Sequence, residues 1–484
     1  VPSEPSDTPA LPASVETAPP SPPTQPVPRI AYLAVATALF MEFIDSTSLS
    51  TALPTLAEAF DSDPVHLKLA LTSYILALAV FIPISGWMAE RWQPKRVFLA
   101  AMAVFLIGSA LCGFSSNLGE LVASRIVQGI GGAMMTPVAR LIVVGSSPRE
   151  DLIRAMGWFT TPALLGPLVG PPLAGFVLGV ADWPWIFFIN IPIGLLGMAA
   201  VVKFVPRIAV VDPGRFDWSG FFLSAIAITG VVVVAETAGL NLFPLWAQVA
   251  SVAVALACGW AYLRLARRKP KPILNLSLLK YPTFRASLLG GSLMRLGVGA
   301  SPFLMPLLLQ VGLGWTPLQA GSVTLAGGLG VFTARPFAAP LLKRWGFRTV
   351  LLLFVSLTAA LTAAPGFFRP ETPVFVIMAL LLFAGFARSS QFIATNTIAY
   401  ADVPQTEIAQ ASTLSAVTQQ IGLAMGVSFG GLMLHLTRGA GGALTPDRFT
   451  WPFIAIGLTS LLSAVVYWRL DRSAGAALSG NRRT

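Results

Sequence analysis

Charge is what this chain has least of. Only 11% of its 484 residues are Asp, Glu, Lys or Arg, where a soluble protein carries about 25%. Histidine and cysteine occur twice each. His66 falls in a loop and His435 near a helix end, places that suit structure better than acid–base catalysis. Cys112 and Cys258 lie in apolar stretches, which indicates neither a disulfide nor a metal site. There is no phosphate-cradling P-loop, and no nucleophile, base and orienting group converge by motif. The sequence therefore predicts no enzyme, no metal and no cofactor.

What the chain has in quantity is apolar surface, with 55% hydrophobic residues and a mean hydropathy of +0.74. Long unbroken apolar runs exclude an alternating β-barrel and predict an all-α polytopic membrane protein. Fourteen spans are expected, at 30–55, 67–90, 97–114, 119–146, 154–179, 184–205, 217–239, 244–265, 285–311, 317–341, 349–367, 373–400, 410–436 and 450–469. Each is near the ~20 residues that cross a bilayer core.

The net charge of +11 does not point to nucleic acid, because the basic residues cluster in short loops between apolar runs. With the N-terminus inside, 23 basic residues fall in or beside cytoplasmic segments. Lys68, Arg369, Arg438 and Arg448 alone fall outside, and five more lie within spans. That asymmetry places both termini in the cytoplasm. Residues 1–28, rich in Pro, Ser and acids, are expected to form a disordered cytoplasmic tail, with no apolar h-region before Pro28.

An internal repeat divides the chain. An offset of 256 carries Gly129 and Pro148 onto Gly385 and Pro404, and Gly166 and Gly170 onto Gly422 and Gly426. An offset of 253 carries Arg91-Trp92 onto Arg344-Trp345, and Lys95 onto Arg348. The expected domains are an N-terminal six-helix bundle at 29–206, two inserted helices at 207–270, a C-terminal six-helix bundle at 271–470 and a cytoplasmic tail at 471–484. Such half-repeats place a substrate site between the halves near the midplane.

The few charges inside spans then become informative. Glu42 and Asp45 lie near the middle of the first span, three residues apart on one helical face. An ionised carboxylate there costs roughly 3 kcal/mol on insertion scales. A substrate or proton site is the default reading of such residues. Arg125 and Arg140 lie in the fourth span, Arg295 in the ninth and Arg388 in the twelfth. Glu42 lies ~18 Å and Arg295 ~17 Å from the cytoplasmic ends of their spans, at 1.5 Å per residue. Opposite charges at similar depth suggest that the acids face Arg295 across a polar cavity. Gln128 and Asn396 are further candidates for its lining, and a small-molecule substrate is the expected partner, beside the lipid bilayer.

Several short motifs punctuate these spans. Gly86 to Arg96 reads G-W-M-A-E-R-W-Q-P-K-R, in which Gly86 permits close helix approach and Glu90, Arg91, Lys95 and Arg96 can form a cytoplasmic latch. Arg125, Gln128, Gly129 and Gly132 share one helical face. Gly166, Pro167 and Gly170 predict a kinked, tightly packed fifth span.

Together these motifs resemble the major facilitator superfamily, and within it the fourteen-helix drug:proton antiporter family. Asp45-Ser-Thr with Thr51-Ala-Leu-Pro54 resembles the first-helix motif D-x-T…A-L-P. Gly86–Arg96 resembles the cytoplasmic-loop motif, with Glu90 for Asp and Gln93 where Gly is usual. Gly166-Pro167 and Gly170 resemble the antiporter motif of the fifth helix, with Pro171 in place of its second Gly. The run Trp183 to Gly194, including Asn190 and Pro192, resembles a further family signature, and Phe216-Asp217-Trp218 also fits. Pro302–Pro306, Gln128–Met135 and Pro137–Arg140 resemble the MdtD-type multidrug-resistance branch most closely.

The resemblance implies proton-driven export from a bacterial inner (plasma) membrane by alternating access of the two halves, performed by a monomer. It gives Asp45 the role of proton carrier and Arg125 that of coupling residue. Glu42 lies outside the motif and joins them by position. A lipophilic cation would suit Glu42 and Asp45. A small organic anion or its metal chelate, citrate-like, would suit Arg140, Arg295 and Arg388.

Overall fold

The computed structural model describes residues 29–147, 152–206, 214–237, 244–269, 272–438 and 442–476. The expected N-terminal tail and residues 477–484 lie outside these. The described chain folds as helices α1 (Arg29–Ala59), α2 (Lys68–Trp92), α3 (Pro94–Gly113), α4 (Leu118–Ser146), α5 (Leu152–Val180), α6 (Trp185–Phe188) and α7 (Asn190–Phe204), then α8 (Trp218–Thr237) and α9 (Leu245–Ala266). There follow α10 (Pro282–Pro306), α11 (Pro317–Thr333), α12 (Arg335–Ala363), α13 (Val374–Ile398), α14 (Ile408–Arg438) and α15 (Thr450–Trp468).

Among the described residues, twelve helical stretches are long and apolar enough to cross a membrane, with α6 and α7 together making one of them. The proline-rich α5 and the 17-residue α11 complete fourteen spans. In hydrocarbon every backbone polar group must be paired within the chain, which leaves helices as the economical solution for runs of this composition.

Helix pairing repeats between the halves. In the first half α1 packs on α5 and α7, and α4 on α2 and α3. In the second, α10 packs on α14 and α15, and α13 on α11 and α12. The halves meet along two seams, α2 with α14 and α5 with α11, which a pseudo-twofold axis exchanges. The inserted pair α8–α9 packs by α8 against α2 and α14, covering the first seam.

The loop after α2 shows the repeat at atomic scale. Gln93 adopts φ 75°, ψ 123°, and its counterpart Gly346 adopts φ 73°, ψ 164°. Gly346 is the residue at which α12 breaks, so the turns before it continue α11 and those after it form the next span. Gln93 thus makes the backbone turn that glycine makes in the second half, in a region essentially reserved for glycine.

Contacts between the halves gather on the side remote from the start of α1, here the far side. One apolar core spans both halves there, with Leu49, Leu53 and Phe187 of the first against Phe303, Leu307 and Phe449 of the second. Ser50 donates to the Pro302 carbonyl, Gln310 Nε2 to the Thr51 carbonyl at 2.7 Å, and Arg438 pairs with Asp63 at 2.5 Å. Toward the terminal side, where α1 begins, the first-half core and one second-half core are separate clusters. Ile82 of α2 packs against both the first-half core and a further second-half core around Leu414 and Val417, so the halves touch on that side as well, while the hydrogen bonds and the ion pair between them lie on the far side.

Candidate functional site

Asp45 lies at the centre of a closed polar network. Its Oδ2 is 2.5 Å from Arg125 Nη1 of α4. Its Oδ1 accepts from Gln128 Nε2 at 2.8 Å and from Asn190 Nδ2 at 3.0 Å. Arg125 also donates to the Gln128 side chain at 2.5 Å and to the Ala70 carbonyl at 3.2 Å, and its guanidinium lies 4.3 Å over the Tyr74 ring. Ser109 fixes the far edge, accepting from Asn190 at 3.1 Å and donating to the Phe187 carbonyl at 2.9 Å.

The local sequence explains the arrangement. Arg125 and Gln128 are three apart on α4 and present one face. Gly129 and Gly132 beside them let α2 approach, since a methyl at 129 would lie 2.6 Å from Ala77 Cβ and one at 132 would lie 2.7 Å from the Tyr74 hydroxyl. Gly108 plays the same part toward α3, where a methyl would meet Gln128 backbone at 2.5 Å. Asp45, Arg125, Gln128 and Asn190 are all buried, at 0–1% exposure. A buried pair of this kind is costly to form and costlier to break on one side, because the remaining charge is left bare. The Tyr74 hydroxyl and Asn190 Oδ1 are buried without a hydrogen-bond partner.

Glu42, one turn closer to the terminal side, is half-buried and accepts from Thr136 at 2.9 Å. Neither acid pairs with Arg295. Asp45 is taken by Arg125 within its own half, and Glu42 rests on a neutral hydroxyl. The opposition of the acids to Arg295 that equal depth suggested is replaced by this intra-half pairing, because α1 meets α10 on the far side, at Ser50 and Pro302, while α4 reaches Asp45 with Arg125 and Gln128.

Arg295 occupies the position in α10 that corresponds to Glu42 in α1. It donates to Asn396 Oδ1 at 3.0 Å and Gln419 Oε1 at 3.3 Å, and lies 5.5 Å from the Phe392 ring centroid. The notch it fills is cut by Gly291 and Gly422. Its Nε is buried without a hydrogen-bond partner, and no carboxylate among the described residues pairs with it. Arg388 of α13 is half-buried, with no charged partner among the described residues. One turn on, Gln391 is fully buried with both amide atoms unpaired. Arg140 stands apart from these groups, exposed on the terminal side.

The gating candidates divide similarly. Gly86 is exposed, and a methyl there would meet nothing within 4 Å, so the close helix approach expected of it is not made at this position. Lys95 donates to the Val202 and Val205 carbonyls at 2.9 and 2.6 Å, capping the end of α7. Glu90, Arg91 and Arg96 are exposed on the same side. Gly166 seats α5 on α1, where a methyl would lie 2.5 Å from Phe43 Cβ, and one at Gly170 would collide with Thr47. Pro167 lies between them, half-buried. Asn190 and Tyr74 are site residues that sequence reasoning missed. Asn190 stood inside a quoted signature, whereas Tyr74 carries no signal beyond its apolar neighbours.

The Major Facilitator Superfamily profile matches residues 35–280 and 287–484. The chain is 35% identical over 445 residues to "Putative multidrug resistance protein MdtD" of Pectobacterium carotovorum subsp. carotovorum (strain PC1), covering 90% of this chain and 94% of that one. It is 33% identical over 465 residues to the protein of the same name from Escherichia coli (strain 55989 / EAEC), covering 93% and 97%. Among solved structures, the peptide transporter POT in complex with sulfate superposes with a TM-score of 0.68 at 16% identity, over 92% of this chain and 95% of that one. The D-xylose-proton symporter does so with 0.65 at 15% identity, over 92% and 98%. At such identity these two speak for the fold alone. A buried acid–arginine network in one of two exchanged six-helix halves, a profile match along nearly the whole chain and full-length relatives together establish that this membrane transporter belongs to the major facilitator superfamily, in its MdtD-type branch.

Proposed function

We propose that the chain is a proton-coupled exporter of the bacterial inner membrane that works by alternating access. The observation that carries this reading is the Asp45–Arg125 pair, sealed from solvent in a span where an unused charge would be lost to selection or repaired by an apolar residue. The bonded contacts between the halves lie on the far side, opposite the terminal side that the Lys and Arg distribution assigns to the cytoplasm. In this arrangement substrate enters from the cytoplasm while the far side is shut.

Protonation of Asp45 removes one charge of the pair and frees Arg125 to change partners. That gives the network two arrangements, and a differential affinity for protons in the two is what couples their gradient to the motion. Glu42, half-buried and one turn toward the terminal side, passes protons between Asp45 and the cytoplasmic space. Asn190 and Gln128 position the carboxylate, and Arg125 is the coupling residue.

For the substrate, two readings are carried forward. A lipophilic cation fits the multidrug name of the relatives and would use Glu42 as its counter-charge. The second reading, a small organic anion or its metal chelate, is favoured by Arg295 and Arg388, guanidinium groups that no carboxylate among the described residues pairs with. Asn396 and Gln419 would orient Arg295 for such a ligand. The test is transport by purified protein in proteoliposomes with an imposed pH gradient, in which ethidium and radiolabelled citrate compete. Absence of any substrate-dependent proton flux would refute the coupling.

A further inference from the structure

The two seams between the halves are built differently. At α5–α11 the contact is backbone against backbone. A methyl at Gly175 would lie 2.6 Å from the Pro317 carbonyl, and one at Gly321 would strike the Pro171 carbonyl. At α2–α14 the corresponding positions are polar: Lys68 where the other seam has Gly321, Thr72 where it has Leu325, and Ser428 where it has Pro172. This is the seam that α8 covers.

Glu236, at the far-side end of α8, is 3% exposed. Thr72 of α2 donates to its Oε1 at 2.9 Å, and Ser428 of α14 donates to its Oε2. One carboxylate thus ties the two halves together. Lys68 is fully buried, with its chain against Gly431 of α14 and its Nζ without a hydrogen-bond partner. It is the charged group that acts on Glu236 among the described residues. On α14 the nearest ionisable residue along the helix is His435, about two turns beyond Ser428, and the ionisable residues of α9, Cys258, Tyr262 and Arg264, all lie in its second half, toward the end opposite Glu236.

We propose that Glu236 is a second proton-binding site, a carboxylate latch carried by the inserted helix pair that holds the far side shut while ionised. The hydroxyl partners lose little on release. Thr72 Oγ1 is 3.0 Å from the Lys68 carbonyl and Ser428 Oγ is 3.0 Å from the Ala424 carbonyl, so each can return its hydrogen to its own helix. The ionised carboxylate has no such fallback, and separating α2 from α14 would strip it of at least one donor in a dry environment. Uptake of one proton from the far-side medium turns the carboxylate into a neutral acid and removes that cost. Opening of the far side then becomes linked to proton binding at a place remote from Asp45.

The latch rests on the alternating-access reading, but its test needs neither substrate nor transport. The full chain bearing Cys258→Ala is spin-labelled at Glu58→Cys and Thr445→Cys, exposed far-side positions in opposite halves. Distances are measured in lipid nanodiscs as pH falls from about 8 to about 5. The expected result is a long-distance population that grows as pH falls. Glu236→Gln should show that population at every pH with its pH dependence reduced at least several-fold, and Glu236→Asp should restore the dependence. Ser428→Ala, which keeps the carboxylate and removes one donor, should raise the open population at pH about 7 and covers the case in which Glu236→Gln fails to fold. A wild-type pair that never opens as pH falls, or a Glu236→Gln titration that coincides with wild type, would overturn the latch. Loss of substrate-dependent proton flux in proteoliposomes, by contrast, bears on the exporter reading and leaves this distance measurement standing.

Discussion

Arg125 Nη1 of α4 stands 2.5 Å from Asp45 Oδ2 of α1, and neither side chain reaches solvent. Removing either charge leaves the other bare in a low-dielectric core, at a cost of about 3–5 kcal/mol. Asp45→Asn is expected to lower thermal stability in detergent and to abolish proton-coupled transport. The double variant Asp45→Asn with Arg125→Gln should recover most of the stability and none of the coupling. Undiminished proton-coupled transport by Asp45→Asn would remove Asp45 from the mechanism.

Glu42 makes one hydrogen bond, from a neutral hydroxyl, so its loss should disturb the fold little. Glu42→Gln is expected to melt within about 1 kcal/mol of wild type. Its transport should respond differently to pH, and its affinity for ethidium should fall if the substrate is a cation. A pH profile that overlays wild type would exclude Glu42 from the proton route.

Arg295 separates the two substrate readings. Its guanidinium is held by two side-chain amides and, among the described residues, by no acid. Arg295→Ala should reduce citrate binding at least tenfold, the equivalent of about 1.4 kcal/mol, and leave ethidium binding within a few-fold. The reverse pattern in a binding titration would favour the cation.

Gln93 turns the chain at φ 75°, where its counterpart is Gly346. A side chain in such a region costs of order 1–3 kcal/mol. Gln93→Gly is expected to raise the melting temperature, and Gly346→Gln to lower it. A destabilised Gln93→Gly would mean that the amide earns its place through contacts that outweigh the strain.

The spans, the two halves and the rarity of charge were legible in the sequence because the bilayer makes them so. A backbone in hydrocarbon has few ways to pair its polar groups, and a charge there is too costly to be incidental. Asp45, Glu42, Arg125 and Arg295 could be singled out on that ground alone. The glycines of α5 also announced a close approach, and α1 is where it occurs.

Which charges meet was decided by the tertiary structure. Depth along a span is linear information, and it suggested Arg295 as the opposite of the acids. Pairing depends on where along their lengths helices meet: α1 touches both α4 and α10, but it meets α10 on the far side and α4 at Asp45, which pairs with Arg125. Glu236 is the same lesson from the other direction. It lies near the end of an apolar span, and only the packing of α8 across the α2–α14 seam bonds its two oxygens to opposite halves of the molecule. Hydropathy fixes what must be buried, whereas the partner of a buried charge is fixed by helix neighbours that no single span encodes.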